Sequence, residues 1–237
     1  MAKKRLGCKH YFRKCKIIAN CCNRAFWCRM CHDDACSHKI NRREIKLIIC
    51  QKCNIEQEVS STCKFCNTCF GKYFCRRCVL YDDVDKKQYH CNKCRSCRVG
   101  GRDNYEHCCK CGMCILISFF DKHPCIPDSA FGNCTICLES LMESRKQLSI
   151  NPCGHILHKI CEKRMIRSGK FNCPICNRSI VDMQAIWRYY DLILTPDTFS
   201  DEVINIVCAD CNKKSNVKRN YYVNKCKKCG SFNTAID

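Results

Sequence analysis

A string of small, irregular α+β modules, each held together by zinc rather than by an apolar core, is the fold class this sequence predicts. Three observations carry it. Of 237 residues, 32 are cysteine, and most stand in Cys-x2-Cys pairs with histidines close by, the spacing of four-ligand metal sites. Each cysteine-rich stretch is too short to fold on an apolar core of its own. The opening MAKKRLGC lacks the apolar core of a signal peptide, so a reducing compartment with zinc accounts for the pairs better than a disulfide scaffold does. The longest apolar run, Cys114 to Phe120, is broken by Ser118 and is far too short to span a bilayer, so no membrane association is expected.

Zinc also corrects two whole-chain totals. The apolar fraction of 46% counts cysteines that act as ligands rather than as packing residues. The formal charge of +20 suggests nucleic acid, yet it treats every thiol as neutral. With 28 thiolates on nine divalent ions the folded charge falls to about +10, and half of that signal disappears. Structural zinc supplies on the order of 10 kcal/mol per site, so metal binding and folding are one event.

The first module (1–70) offers Cys8, His10, Cys21, Cys22, Cys28, Cys31, His32, His38, Cys50, Cys53, Cys63 and Cys66, enough for three four-ligand sites. Cys15 and Cys36 are left over, each a spare ligand or a small buried side chain with no base placed to make it a nucleophile. Cys69 competes with Cys63 in overlapping Cys-x2-Cys units, of which the earlier pair is taken. Glu44 to Ile49 alternates apolar and polar residues and reads as a short strand. Closed four-ligand sites leave no open position for catalysis, so these ligands are expected to hold a shape. The second module (71–128) offers Cys75, Cys78, His90, Cys91, Cys94, Cys97, His107, Cys108, Cys111, Cys114, His123 and Cys125. His90–Cys97 and His107–Cys114 are an internal repeat of the form His-Cys-x2-Cys-x2-Cys; Cys109 breaks it and is the spare. Which ligands pair is left open. Phe70, Tyr73, Phe74, Arg76, Arg77 and Tyr81 interleave aromatic and basic side chains. Such a strip can stack bases, but the expected role is the small core around a zinc site.

Ile126 to Asn133, with Pro127 and Gly132 and no periodicity, reads as a linker. The third module (129–180) organises the chain: Cys134-x2-Cys137, Cys153-x-His155-x2-His158-x2-Cys161, then Cys173-x2-Cys176. Eight ligands make two sites, and the tight spacing around His155 and His158 favours interleaving, with the first and third pairs on one ion and the second and fourth on the other. Leu157 to Ser168 is expected to be helical and ended by Gly169, with Lys159, Lys163, Arg164 and Arg167 making one face basic. Met183, Ile186, Trp187, Tyr190 and Leu194, spaced by three and four, predict an amphipathic helix within Ser179–Leu194, a linking segment (181–200) that packs on a neighbouring module. The last module (201–237) sets Cys208-x2-Cys211 against Cys226-x2-Cys229 across an arm rich in Lys and Asn, a zinc-ribbon pattern. Gly230 suits the tight turn of a knuckle. All eight histidines are used, and the 36 ligands divide into nine four-coordinate sites.

These motifs carry a resemblance. The third module resembles a two-histidine RING finger, which implies a cross-brace fold with Cys134, Cys137, His158 and Cys161 on one ion and Cys153, His155, Cys173 and Cys176 on the other. Cys8-Lys-His10-Tyr, Cys21-Cys22 and Cys28-Arg-Met-Cys31-His32 resemble the CHY zinc finger. That implies Cys8, His10, Cys28 and Cys31 on one ion and Cys21, Cys22, His32 and His38 on a second, beside a simpler site of Cys50, Cys53, Cys63 and Cys66. The repeat of the second module resembles the CTCHY zinc finger. This order, closing in a zinc ribbon, resembles one family over nearly the whole chain: the CHY-and-RING ubiquitin ligases, which include one acting on a tumour suppressor. Some plant members place iron-sensing helices ahead of the CHY finger; this chain starts at the finger, so iron sensing is not expected.

The resemblance implies a RING-type ubiquitin transferase of the ubiquitin conjugation and protein degradation pathway. It has no nucleophile and works by holding a ubiquitin-charged conjugating enzyme for attack. Ile136, Met165 and Pro174 match the positions that dock that enzyme. Met165 stands where tryptophan or leucine is common, and Asn177 where an arginine often touches ubiquitin, with Arg178 shifted by one; both departures bear on strength rather than on class. The implied partners are a conjugating enzyme, ubiquitin and protein substrates chosen by the flanking modules, in cytoplasm and/or nucleus. The rival readings are a basic multi-zinc regulator that binds nucleic acid, which the corrected charge does not favour, and a zinc store.

Overall fold

The computed structural model describes residues 5–237. The chain forms two compact units, one running to His107 and taking in Cys114–Ile117, the other comprising Cys108–Met113 and Ser118–Asp237. No helix among the described residues is long and apolar enough to cross a membrane.

In the first unit, β1 (Cys15–Ala19) lies inside a four-stranded antiparallel sheet with β2 (Arg24–Phe26), β3 (Leu47–Cys50) and β4 (Glu56–Glu58) in the order β2-β1-β3-β4. Ile17 sits opposite both Phe26 and Ile48, and these side chains form a core with Ile45, Val59, Phe70 and Tyr81. Phe70 and Tyr81 are fully buried and meet edge to face at 5.9 Å, while Phe74 stacks on Tyr81 at 4.8 Å. Three members of the aromatic-basic strip are therefore core residues. The strand expected at Glu44–Ile49 begins later, at Leu47. Asn41 accepts a hydrogen bond from the Arg43 amide and caps a single 3-10 turn over Arg42–Glu44, so the local cap outcompetes the strand. The short helix α1 (Arg29–Asp33) follows β2. Three two-stranded hairpins come next: β5 (Tyr73–Cys75) with β6 (Leu80–Asp82), β7 (Tyr89–Cys91) with β8 (Ser96–Arg98), and β9 (Tyr105–Cys108) with β10 (Met113–Leu116). The division between the units falls in the last of these.

The second unit continues through the one-turn helix α2 (Ile117–Phe120), the pair β11 (Leu148–Ile150) and β12 (Ile156–His158), and helix α3 (Lys159–Arg167). The helix expected from Leu157 starts two residues later, because Leu157 and His158 pair with Ser149 and Leu148 in the sheet. It ends as expected: Gly169 takes φ +77°, and the Lys170 amide donates back to the Met165 carbonyl at 3.1 Å. The segment 126–133 is not a slack linker. Asp128 and Ala130 amides donate to the carbonyls of Lys110 and Cys111 at 2.8 and 3.1 Å, and Ala130 is fully buried. Helix α4 (Gln184–Ile193) is shorter than the amphipathic stretch, since Ser179 is held opposite Asn172 in a bridge and cannot be helical. Trp187 and Tyr190 pack on Phe232 at 5.9 and 5.4 Å, so the helix belongs to the ribbon. The ribbon is a three-stranded sheet, β14 (Lys214–Asn220), β13 (Phe199–Cys208) and β15 (Thr234–Ile236) in that order.

One turn recurs throughout. The residue after the second cysteine of a pair has positive φ at Asn54, Asn67, Leu138, Asn177, Asn212 and Gly230. In each case its amide donates to the carbonyl of the first cysteine, at 2.7 to 3.1 Å. The turn folds both thiols to one side. Asparagine and glycine tolerate that conformation best, which is why four of these six positions are Asn.

Candidate metal centres and docking groove

A tetrahedral ion with sulfur at about 2.3 Å needs its sulfurs about 3.8 Å apart, whereas a disulfide would bring them to about 2.05 Å. The observed separations are 3.7 Å for Cys8–Cys28, 3.6 Å for Cys28–Cys31, 3.7 Å for Cys50–Cys66 and 3.6 Å for Cys53–Cys63. In the ribbon, Cys208–Cys229 and Cys211–Cys226 stand 3.6 and 3.7 Å apart. No disulfide joins the described cysteines, and the donor sets fit zinc. Five groups of four, and four more, gather donor atoms within 4.8 Å of one another.

In the first module these groups are Cys8, His10, Cys28 and Cys31; Cys21, Cys22, His32 and His38; and Cys50, Cys53, Cys63 and Cys66. Neighbouring Cys31 and His32 lie in α1, where consecutive side chains point about 100° apart, so they serve different sites. His32 is fully buried. Its Nε2 lies 3.2 Å from Cys21 Sγ while Nδ1 donates to Asp33 Oδ1 at 2.9 Å, a carboxylate that fixes ring orientation and tautomer.

The second module has a staggered order. Cys75, Cys78, His90 and Cys97 form one group, and Cys91, Cys94, His107 and Cys114 the next. Cys108 stands 3.7 Å from Cys125, and Cys111 stands 3.8 Å from His123 Nε2. Cys75-x2-Cys78 and Cys91-x2-Cys94 therefore each open a site that the next repeat's first and last ligands close, while Cys108 and Cys111 meet His123 and Cys125 outside the repeat. The β7–β8 register explains it: His90 is directly opposite Cys97, and Cys91 is opposite Ser96. Side chains alternate across a strand, so His90 and Cys97 share one face and Cys91 turns to the other.

In the third module Cys137 lies 3.2 Å from His158 Nδ1, with Cys134 and Cys161 interacting with it. His155 Nδ1 is 3.4 Å from Cys153 and 3.7 Å from Cys173, and Cys176 interacts with Cys153. His155 and His158 are three residues apart, so the extended chain sends them to opposite faces. Lys146 Nζ reaches both Cys137 Sγ at 3.6 Å and Glu139 Oε1 at 2.6 Å. That places a cation beside a ligand sulfur, a feature no spacing rule reveals.

Of the leftover cysteines, Cys15 is fully buried in the sheet, and burial pushes its thiol up to about 12, so it is a neutral core side chain. Cys36 packs against the same core. Cys69 is exposed and donates to the Gly71 carbonyl at 3.3 Å; Cys109 is also exposed. Arg13, only 1% exposed, lies over Tyr11 and Tyr81 at 5.6 and 5.4 Å.

Ile136, Met165 and Pro174 converge on one open groove of about 640 Å³, walled also by Arg164, Asn172 and Asn177. Met165 forms the buried floor and Ile136, 38% exposed, the rim. The second knuckle of the module is tied to the ribbon. Asp210 accepts from the Ser179 amide at 2.7 Å, Ser179 Oγ at 3.1 Å, Ser231 Oγ at 2.6 Å and Asn233 Nδ2 at 3.0 Å. Burial alone would raise its carboxyl; these hydrogen bonds hold it below the ordinary carboxylate value.

Comparison with known proteins matches the CHY zinc finger family over residues 8–73, the Ring finger domain over 132–177 and a zinc-ribbon over 181–235. The chain is 42% identical to E3 ubiquitin-protein ligase SRFP1 of Oryza sativa subsp. japonica, covering 96% of this chain and 90% of the relative. It is 38% identical to E3 ubiquitin-protein ligase RZFP34 of Arabidopsis thaliana, covering 96% and 83%. A Zinc finger protein BRUTUS-like of Arabidopsis thaliana is 37% identical over 97% of this chain, which spans only 19% of that relative.

Proposed function

Because this chain belongs to the family of E3 ubiquitin-protein ligases that join a CHY zinc finger, a RING and a zinc ribbon, and is thus a RING-type ubiquitin transferase, we propose that it docks a ubiquitin-charged conjugating enzyme in the Ile136–Met165–Pro174 groove. The observation that carries this reading is the convergence of those three apolar side chains, distant in sequence, on one open groove. Nine zinc ions, one per four-ligand group, lock the knuckles that shape the groove and the flanking modules. The fingers and ribbon select protein substrates. The activity operates in cytoplasm and/or nucleus, where reducing conditions keep the thiols available to zinc.

The groove's one thiol, Cys173, faces His155 in a metal site and serves there as a ligand rather than as a nucleophile. Rate enhancement therefore comes from holding the charged enzyme in a geometry ready for attack by a substrate lysine. Ile136 at the rim and Met165 on the floor supply apolar contact area, and Arg164 beside them supplies positive charge at the edge.

The test is self-ubiquitination by zinc-loaded protein with activating enzyme, a panel of conjugating enzymes and ubiquitin. Ladders from the native protein should vanish in Ile136→Ala, while metal content stays unchanged. Ladders of equal intensity from both proteins would remove the groove from the mechanism.

A further inference from the structure

The ribbon does more than lie beside the RING. Asn233, just before the last strand of the ribbon, donates through Nδ2 to the Asn177 carbonyl at 2.8 Å, and its Oδ1 accepts from Asn172 Nδ2 at 3.3 Å. Asn172 also donates to Asn177 Oδ1 at 3.2 Å. Both RING asparagines wall the groove, with Cys173 and Pro174 between them. Asn177 is the residue at φ +61° that closes the second knuckle, where its amide donates to Cys173 at 2.8 Å. Behind Asn233, the four donors on Asp210 come from both modules: Ser179 from the RING side, Ser231 and Asn233 from the ribbon. The Ala209 amide bonds to the Asn233 carbonyl at 2.9 Å, so Asn233 is fixed by its own backbone as well. Surfaces between modules move by default unless something holds them; here the bonds converge on the one knuckle that forms a groove wall.

We propose that the ribbon is a positioning element for ubiquitin transfer, with Asn233 and Asp210 as positioning residues that set the Asn172–Asn177 wall of the groove. The inference rests on the groove being the site that docks the conjugating enzyme. The apolar contacts of Ile136 and Met165 govern how much charged enzyme is bound. The Asn233 and Asp210 bonds govern how the bound enzyme is oriented, because they fix the backbone at the position next to the last RING ligand. Their loss therefore lowers the rate of transfer within the bound complex more than it weakens binding.

The experiment uses full-length zinc-loaded protein and reads single-turnover discharge of a ubiquitin-charged conjugating enzyme to free lysine as ligase concentration is varied. Asn233→Ala and Asp210→Ala should each lower the maximal rate about fivefold, the size of one lost orienting hydrogen bond, with the half-saturating concentration within about twofold of native. The double variant should lose little more than either single one, since the two residues act as one unit. Free lysine needs no substrate recognition, so a ribbon that served only to select substrates would leave these rates at the native value, and that result overturns the proposal. So does a defect confined to the half-saturating concentration. Should Asp210→Ala shed zinc, Asn172→Ala tests the same link from the RING side and is expected to show the same fall in maximal rate; a native rate there also overturns it. Ile136→Ala runs alongside. If it discharges ubiquitin as well as the native protein does, the docking reading itself fails; if it is dead while the ribbon variants match native, only the ribbon proposal does.

Discussion

Cys97→Ala distinguishes the staggered order of the second module from a simpler one in which Cys91, Cys94 and Cys97 share an ion. Cys97 Sγ lies 3.8 Å from His90 Nδ1 and accepts a hydrogen bond from the Tyr73 hydroxyl at 3.3 Å. It thus closes the site opened by Cys75 and Cys78, and has no part in the site of Cys91 and Cys94. A structural zinc site contributes roughly 12 kcal/mol, and replacing one of four ligands by water removes about a quarter of that, about 3 kcal/mol. The affinity of that single site should fall on the order of a hundredfold, and the other sites should hold. Titration with chelators of graded strength counts the ions. Cadmium-113 substitution with imidazole NMR tells which histidine senses the change: His90 should shift and His107 should not. Simultaneous weakening of two ions, or a shift of His107 with His90 unmoved, would refute the stagger.

Alkylation tests which thiols lie outside the metal sites. Mild treatment of zinc-loaded protein near neutral pH, followed by peptide mapping, should label the exposed Cys69 and Cys109 first and spare Cys15. The Cys15 thiol, raised by burial to about 12, stays protonated at every pH below that and is unreactive in the folded state; early labelling of Cys15 would contradict the core assignment. Gly154→Ala should destabilise the RING by about 2 kcal/mol, read as a lower midpoint for its thermal unfolding. Gly154 stands at φ +88° between two ligands, and an added Cβ would lie 2.8 Å from Ile126 Cγ1 and 3.1 Å from the Pro124 carbonyl. An unchanged midpoint would contradict both the strained backbone at Gly154 and its close contact with segment 124–126.

Candidate ligands can be read from the sequence because a Cys-x2-Cys knuckle is a local object. Its two thiols are brought together by one turn, and the turn is written in four residues. Partnership between knuckles is not local. His90 and Cys91 are neighbours in sequence yet belong to different sites, and only the β7–β8 register, with His90 opposite Cys97, decides which way each points. The sequence shows the repeat but not that register. A period-2 reading of Tyr89–Cys91 as a strand was the signal that could have settled it. The strand Cys15–Ala19 is hidden for a related reason: a leftover Cys15 reads equally as a spare ligand or as a small buried side chain, and only the sheet shows it to be the first buried residue of a strand.

The groove and the joint behind it show the same limit at a longer range. Ile136, Met165 and Pro174 are picked out by the resemblance to RING fingers, and that resemblance carries over because each stands at a fixed offset from a ligand, which zinc converts into a fixed position in space. Asn177 stands at an equally regular offset, yet asparagine after a knuckle has a sufficient backbone explanation in its positive φ, and that explanation hides a second use; Asn172 and Asn233, without a positive φ, carry no such signal. Asn177 is where both uses meet. Its backbone conformation closes the knuckle, and its carbonyl accepts from Asn233 Nδ2. An arginine at this position would bring a cation to the groove, but it would have to adopt φ +61° at a cost of about 1 kcal/mol. Asparagine there gives up the cation and keeps an unstrained turn that the ribbon can grip. The bond from Asn233 goes to a backbone carbonyl, so what asparagine itself adds at 177 is the unstrained turn that presents this carbonyl and the Oδ1 that accepts from Asn172.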